Sequence, residues 1–478
     1  MRLLDALGSG WEESVDGKSG AVTPTLEYEQ KQPRHDPYGA LRLRDYRLYA
    51  VGNVAGTIGW QMVSVVVGWE LYQRTNSKTA LGLVGLVQVI PLLLFSLHVG
   101  HLVDRHDRRR IILISQVVLA IAGLLLGIAS LRGNQIPDSS VLQWCNHQCA
   151  AAAAWLGESN FRFDDPYVPL MFGLLLVNAA ARVLNQPAKA AFLPQLVPPS
   201  LFANAVTWNS SLFEICSMAG PALGGGIVAM LQISPAHTGW AYPVVYFLNA
   251  GLQAAQFITL LPIHTHASPR VKEPVTLDSL SAGIRYVWNT KIILATLTLD
   301  LFAVVLGGAV ALLPVYAKDI LNVGPAGLGW LRAAPSIGAF GMALAIAHLP
   351  PMNRAGRNML IAVAGFGLAT VVFGYSRDFW LSMGMLVLTG AFDNVSVVIR
   401  HTLVQTLTPD EMRGRVSAVN SIFIGSSNQI GTLESGLTAA WLGTVPSVVL
   451  GGVGTIVVVV FAAVAWPQLR RFGRLHPH

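Results

Sequence analysis

Twelve apolar stretches, each near the ~20 residues that one membrane-spanning helix needs, recur along the chain. They lie near 47–72, 79–100, 111–131, 168–187, 204–231, 241–262, 292–314, 326–349, 358–375, 378–400, 415–440 and 445–466. The stretches are continuous rather than alternating, which argues against a barrel. An open sheet would leave edge groups unpaired in lipid. The pattern therefore predicts an all-α membrane protein with twelve transmembrane helices. Composition agrees, because 53% of the 478 residues are hydrophobic and only 12% are charged. A soluble domain carries about twice that charged share. An ordinary soluble enzyme and a disordered chain are both excluded, and three cysteines are too few for a disulfide scaffold.

Lys and Arg set the expected orientation. One set of connections holds twenty of them, among them Arg42, Arg105, Arg108, Lys189, Arg354, Arg413 and Arg470, and the opposite set holds six. That asymmetry places both termini in the cytoplasm. It also accounts for the net charge of +7. The basic balance points to the lipid bilayer as partner and not to nucleic acid, since no basic, aromatic-interleaved surface lies outside the loops.

The chain reads as two halves. Asp104–Arg109 follows the second stretch, and a similar Asn-Arg-Ala-Gly-Arg-Asn segment at 353–358 follows the eighth. Leu196-Val197-Pro198 with Asn209-Ser210 is matched by Leu407-Thr408-Pro409 with Asn420-Ser421. An outer-loop insertion at 133–167 reconciles the two offsets. The expected organisation is a flexible cytoplasmic tail at 1–40 and a six-helix bundle at 41–263. A cytoplasmic linker at 264–290, a second six-helix bundle at 291–468 and a short cytoplasmic tail at 469–478 follow.

Ionisable residues inside a span are functional candidates, because lipid exposure costs several kcal/mol. They are Glu70, Arg182, Glu214, Asp300, Arg332, Asp393 and Glu434. Glu214 and Asp300 are the expected proton carriers, and Arg182 the expected switching partner of Glu214. A fixed structural ion pair is the alternative. Asp393 is assigned to a cytoplasmic gate with Arg400 or with Arg413 and Arg415. Glu70 and Glu434 read as interfacial. Asn53, Trp60 and Gln61, with Trp208 and Asn209, could line a central cavity, where aromatic faces and amides suit a large, partly planar substrate. Ordinary packing is the alternative for each.

The segment Gly100-His101-Leu102-Val103-Asp104-Arg105-His106-Asp107-Arg108-Arg109-Arg110 resembles the loop signature of the major facilitator superfamily, with Asp107 where the pattern has its second glycine. The resemblance implies a charged cytoplasmic latch built on Gly100, Asp104, Arg105, Arg108 and Arg109. Gly220, Pro221, Gly224 and Gly225 resemble the helix-bend signature of its proton-coupled exporters. Thr207 and Cys216 stand where earlier glycines are usual. The segments 186–194, 408–416 and 420–436 resemble the drug:proton antiporter branch, and Asp393–Arg400 is similar to its siderophore exporters. The resemblance implies outward transport of a siderophore such as enterobactin, coupled to proton influx, by a monomer. A multidrug or macrolide exporter is the alternative within the class, and a non-transporting scaffold or sensor the alternative outside it.

No phosphate-loop motif is present, so no ATP-driven motor is expected, and no cofactor or metal site is expected either. Cys145 and Cys149 in the outer loop could form a local disulfide, stay free or bind metal loosely. Cys216 reads as a small apolar packing residue.

Overall fold

Long helices account for nearly all of the described residues. The structure, a computed structural model, describes residues 36–133, 140–155, 165–263, 277–349, 352 and 354–473. We number the long helices α1 (Arg44–Thr75), α2 (Lys78–Arg105), α3 (Arg108–Arg132), α4 (Tyr167–Leu196), α5 (Phe202–Ile233) and α6 (Ala241–Leu260). The second set is α7 (Lys291–Leu306), α8 (Gly324–His348), α9 (Ala355–Tyr375), α10 (Phe379–Leu407), α11 (Asp410–Leu442) and α12 (Thr444–Ala465). Among the described residues ten spans are long and apolar enough to cross a membrane, the sixth of them continuing past α7 to Ile320. Helices α6 and α11 are also long, at 20 and 33 residues, but more polar. Their amides account for this and point into protein: Asn249, Gln253 and Gln256 on α6 and Asn420 on α11 are buried.

Local chemistry sets the turns. Ser77 caps α2 by accepting a hydrogen bond from the Ala80 amide at 3.2 Å, and Asp107 caps α3 through the Arg109 amide at 3.0 Å. Asp378 caps α10 through the Leu381 amide at 2.8 Å. Helix α7 stops at Gly307 and continues as a 3-10 turn, one α-turn and a π-helical segment, Tyr316–Ile320. The linker read at 264–290 ends in a helix, Leu277–Asn289, and the outer insertion contains another, Ser140–Trp155. Residues 1–35 lie outside the described residues, so the tail expected there receives no structural account.

An even number of spans puts the starts of α1 and α7 at one end of the bundle, the terminal end. Helices α1, α3, α4, α5 and α6 pack among themselves, as do α7, α9, α10, α11 and α12. The two groups meet through α2 against α11 and α5 against α8. Glycine makes both meetings close. A methyl added at Gly225 would sit 2.2 Å from the Pro325 carbonyl oxygen, and one at Gly436 would sit 2.4 Å from the Gly82 Cα.

The apolar core shows how the halves are disposed. At the far end one continuous cluster takes in Val66 and Leu71 from α1, Tyr246 from α6, Leu313 and Tyr316 beyond α7, and Phe373 from α9. Toward the terminal end the core divides. Tyr46, Ile112 and Phe192 belong to a cluster in the first half, and Met359, Ile399 and Leu403 to a separate one in the second. Among the described residues one apolar cluster therefore spans both halves at the far end, while the terminal-end clusters each stay within one half.

Candidate functional site

The sequence pointed to charges within spans, and the structure distributes them over three places. The first is between the halves, where Glu214 on α5 and Asp393 on α10 lie within electrostatic reach of each other. Arg182 on α4, expected beside Glu214, instead stacks on Trp60 of α1, its guanidinium carbon 3.5 Å from the ring centroid. Stacking on an aromatic face satisfies a guanidinium without a carboxylate.

Seven residues further along α4, the Lys189 ammonium donates to Asn53 Oδ1 at 2.9 Å and to Gln256 Oε1 at 3.5 Å. Lys189 had read as a loop cation. Helix α4 continues through Pro187 and Pro194 to Leu196, which carries the lysine inside the bundle. The Asn53 amide donates in turn to Asn209 Oδ1 at 3.2 Å, and Gln61 donates to Ser217 Oγ at 2.7 Å. Asn53, Trp60, Gln61 and Asn209 thus sit where α1 meets α4 and α5, each partly accessible. Trp208 is different. It packs against Tyr38, with ring centroids 5.7 Å apart, at the terminal edge of the first half.

The second place lies inside the second half. Asp300 on α7 forms an ion pair with Arg400 on α10, and both side chains are nearly fully buried. Arg400 had been expected to serve Asp393. It is committed to Asp300 instead, because α7 presents that carboxylate directly against α10. Arg332 on α8 donates to the Val310 carbonyl at 3.5 Å.

The third place is the far end. Glu70, read as interfacial, is fully buried. It accepts hydrogen bonds from Tyr246 at 2.6 Å, Ser130 at 2.7 Å, Arg74 at 3.0 Å and Tyr167 at 3.2 Å. Arg74 also donates to Asp165 at 2.7 Å. The cluster ties α1, α3, α4 and α6 together. The Glu70–Arg74 spacing of four residues was visible in the sequence, but its aromatic partners were not. Across the halves, the Tyr72 hydroxyl donates to Asp319. The Lys318 ammonium donates to Asn76 at 3.2 Å and lies 5.0 Å from the Tyr72 ring centroid.

Of the residues assigned to a latch, Arg108 and Arg109 contact helices of the first half. Arg108 donates to the Ala191 carbonyl at 3.4 Å, and Arg109 to the Leu260 carbonyl at 3.2 Å and to that of Leu261. The Leu260 and Leu261 carbonyls end α6, where a cation is favoured, whereas Ala191 lies more than a turn inside the end of α4. Arg105 is exposed. Gly100 and Asp104 lie in α2, but their surroundings fall outside the described residues. Arg413 donates to the Gln405 carbonyl at 3.3 Å, and Arg415 contacts Met412 Sδ at 3.7 Å. The bend motif carries helix contacts in two directions. Gly220 and Gly224 pack on Gln61 and Met62 of α1, while Gly225 packs on α8.

In the outer helix, Cys145 and Cys149 are free thiols. One helical turn holds their Cβ atoms about 5–6 Å apart, beyond the 3.5–4.5 Å of a disulfide. Burial first, and then the neighbouring Cys145, pushes the Cys149 thiol up to about 11. Among the described residues no group of three or more His, Cys, Asp or Glu side chains is placed to hold a metal ion.

Two helical halves sharing one apolar core at one end and keeping separate cores at the other have the architecture of a multi-pass membrane transporter. The chain belongs to the Major Facilitator Superfamily, whose family model matches residues 49–376. It is 26% identical over 436 residues to the enterobactin exporter EntS of Shigella flexneri, covering 90% of this chain and 94% of that one. The enterobactin exporter EntS of Citrobacter koseri is 25% identical over the same shares. Among solved structures, a D-xylose–proton symporter aligns with a TM-score of 0.63 at 13% identity, covering 88% of this chain and 96% of that one. A bacterial homologue of the iron transporter ferroportin aligns in its inward-facing state with a TM-score of 0.61 at 15% identity, covering 90% and 99%.

Proposed function

We propose that this chain exports a small molecule of the catecholate siderophore type from the cytoplasm outward across a bacterial inner membrane, driven by proton influx. The observation that carries this reading is likeness along nearly the whole chain to relatives named enterobactin exporters, at 24–26% identity over 90% of its length. The geometry supports it. With both termini cytoplasmic, as the Lys and Arg asymmetry indicates, the end with separate cores faces the cytoplasm and admits substrate from there. Rocking the two halves would then close that end and open the other.

A proton-coupled exporter needs a carboxylate that loads from one side and unloads to the other. Glu214 fits that role, with Asp393 opposite it on the other half. Two carboxylates within electrostatic reach of each other favour shared protons while the halves are closed around them. Asp300, held by Arg400, acts as a structural pair beside this site. Arg108 and Arg109 fasten helix ends of the first half so that it moves as one body.

The test is uptake into inverted vesicles with and without an imposed proton gradient. Gradient-dependent accumulation of a catecholate siderophore is the expected result. Accumulation of a macrolide but of no catecholate would transfer the chain to drug efflux.

A further inference from the structure

Buried charge in this molecule is paired at several points. Arg400 meets Asp300, and Arg74 meets Glu70 and Asp165. Among the described residues three buried cations lack such a partner: Arg332 on α8 donates to the Val310 carbonyl, and the other two lie together on α4. Arg182 contacts the Trp60 ring and Lys189 contacts the amides of Asn53 and Gln256, and among the described residues neither has a carboxylate within reach. They are instead within electrostatic reach of each other. Two like charges in surroundings of low dielectric constant repel strongly, and an anion placed against them relieves the cost.

Their arrangement is regular. Arg182 and Lys189 are seven residues apart on α4, two turns along one face, which separates them by about 10 Å. Trp60 and Asn53 are likewise seven apart on α1, which runs antiparallel to α4. The result is a ladder with two rungs, each a cation from α4 set against a planar group from α1. One rung offers an indole face with a guanidinium above it. The other offers an ammonium and the Asn53–Asn209 amide chain. All four rung side chains, Trp60, Arg182, Asn53 and Lys189, remain partly accessible.

We propose that these two rungs form a two-point recognition site for a ligand carrying two acidic aromatic groups about 10 Å apart, of the catechol or aryl-acid type. The inference rests on the export reading above and deepens it. An acidic phenol or carboxylate oxygen accepts charge-assisted hydrogen bonds from Arg182 or Lys189. The attached ring lies against Trp60 at the first rung. A macrolide carries no acidic group to set against the two cations and is disfavoured. Arg182 on this account binds ligand rather than releasing Glu214.

The test is isothermal titration of the purified full-length protein without any proton gradient. Three probes are used: two dihydroxybenzamide rings joined by a spacer of about 10 Å, a single dihydroxybenzoate, and stilbene disulfonate as a rigid aromatic dianion. The wild type is expected to bind the two-ring probe about tenfold or more tighter than the single ring. Arg182→Gln or Lys189→Gln should each cost about tenfold on the two-ring probe and bring it near the single-ring value. Trp60→Phe keeps a ring at the rung and should lose less than Arg182→Gln, which guards against a misfolded variant, as does a thermal melt of each protein. Unchanged two-ring affinity in both cation variants would overturn the site, and so would a wild type that binds none of the probes. Disulfonate binding that depends on both cations, without catecholate binding, would uphold the site while removing the siderophore reading.

Discussion

Arg400 on α10 holds Asp300 on α7 in an ion pair closed off from solvent. Removing one member of such a pair strands the other charge, at a cost of about 3–5 kcal/mol, whereas removing both leaves no stranded charge. Asp300→Asn and Arg400→Gln should each lower the melting temperature of the purified protein by several degrees. The double variant should recover much of the loss. A double variant as unstable as the sum of the singles would show that the two side chains act separately.

Glu214 is placed differently, within electrostatic reach of Asp393 on the other half. Glu214→Gln keeps the shape of the side chain and removes its titration. Gradient-driven export into inverted vesicles should fall at least about tenfold while the melting temperature stays within a degree or two of wild type. Full export by this variant would remove Glu214 from the coupling mechanism.

The fold was legible in the sequence because spans announce themselves by length. Every apolar stretch became a helix, including α6 and α11, whose amides lower their hydropathy. The chemistry was less legible because it depends on which faces meet. Glu214, Asp393 and Asp300 stood out as acids in apolar runs, but only tertiary packing shows that Asp300 meets Arg400 while Asp393 lies within electrostatic reach of Glu214. Lys189 was hidden by Pro187 and Pro194, which signal a loop in a soluble protein and are tolerated inside a membrane helix. Glu70 was near the end of its span, as read, yet buried, because three neighbouring helices supply hydroxyls that one-dimensional depth does not reveal.

Gly225 marks the closest approach of α5 to α8. A side chain there would strike the Pro325 carbonyl and the Gly329 backbone, neither of which can rotate away. Gly225→Val should therefore destabilise the far end, costing about 1–3 kcal/mol and most of the transport. Gly226 has open space around it, so Gly226→Ala should leave both the melting temperature and transport near wild type and serves as the matched control.

The Cys149 thiol should react slowly at neutral pH. Cys149 is pushed up to about 11 by burial, so at pH 8 nearly all of it is the unreactive thiol. Its alkylation by iodoacetamide should keep accelerating as the pH rises toward 11, and mass spectrometry of the peptide covering the outer helix reads the rate. A rate that levels off by pH 9 would contradict the burial of Cys149 against the far-end core.

Tyr72 and Asp319 join the halves by a hydrogen bond at the far end, beside the Lys318–Asn76 contact. The surrounding core is apolar and continuous, so this polar contact is a lock on a seam that packing already closes. A hydrogen bond to a charged group contributes about 1.5–3 kcal/mol. Tyr72→Phe or Asp319→Asn should therefore shift the balance between closed and open far ends about tenfold or more without unfolding either half. Spin labels at Ser77 and Leu321, on opposite sides of the seam, would read this as a longer and broader distance distribution in both variants. If the distribution matched wild type in each, the seam would be held by packing alone, and opening would have to be driven from the terminal end, where the core is already divided.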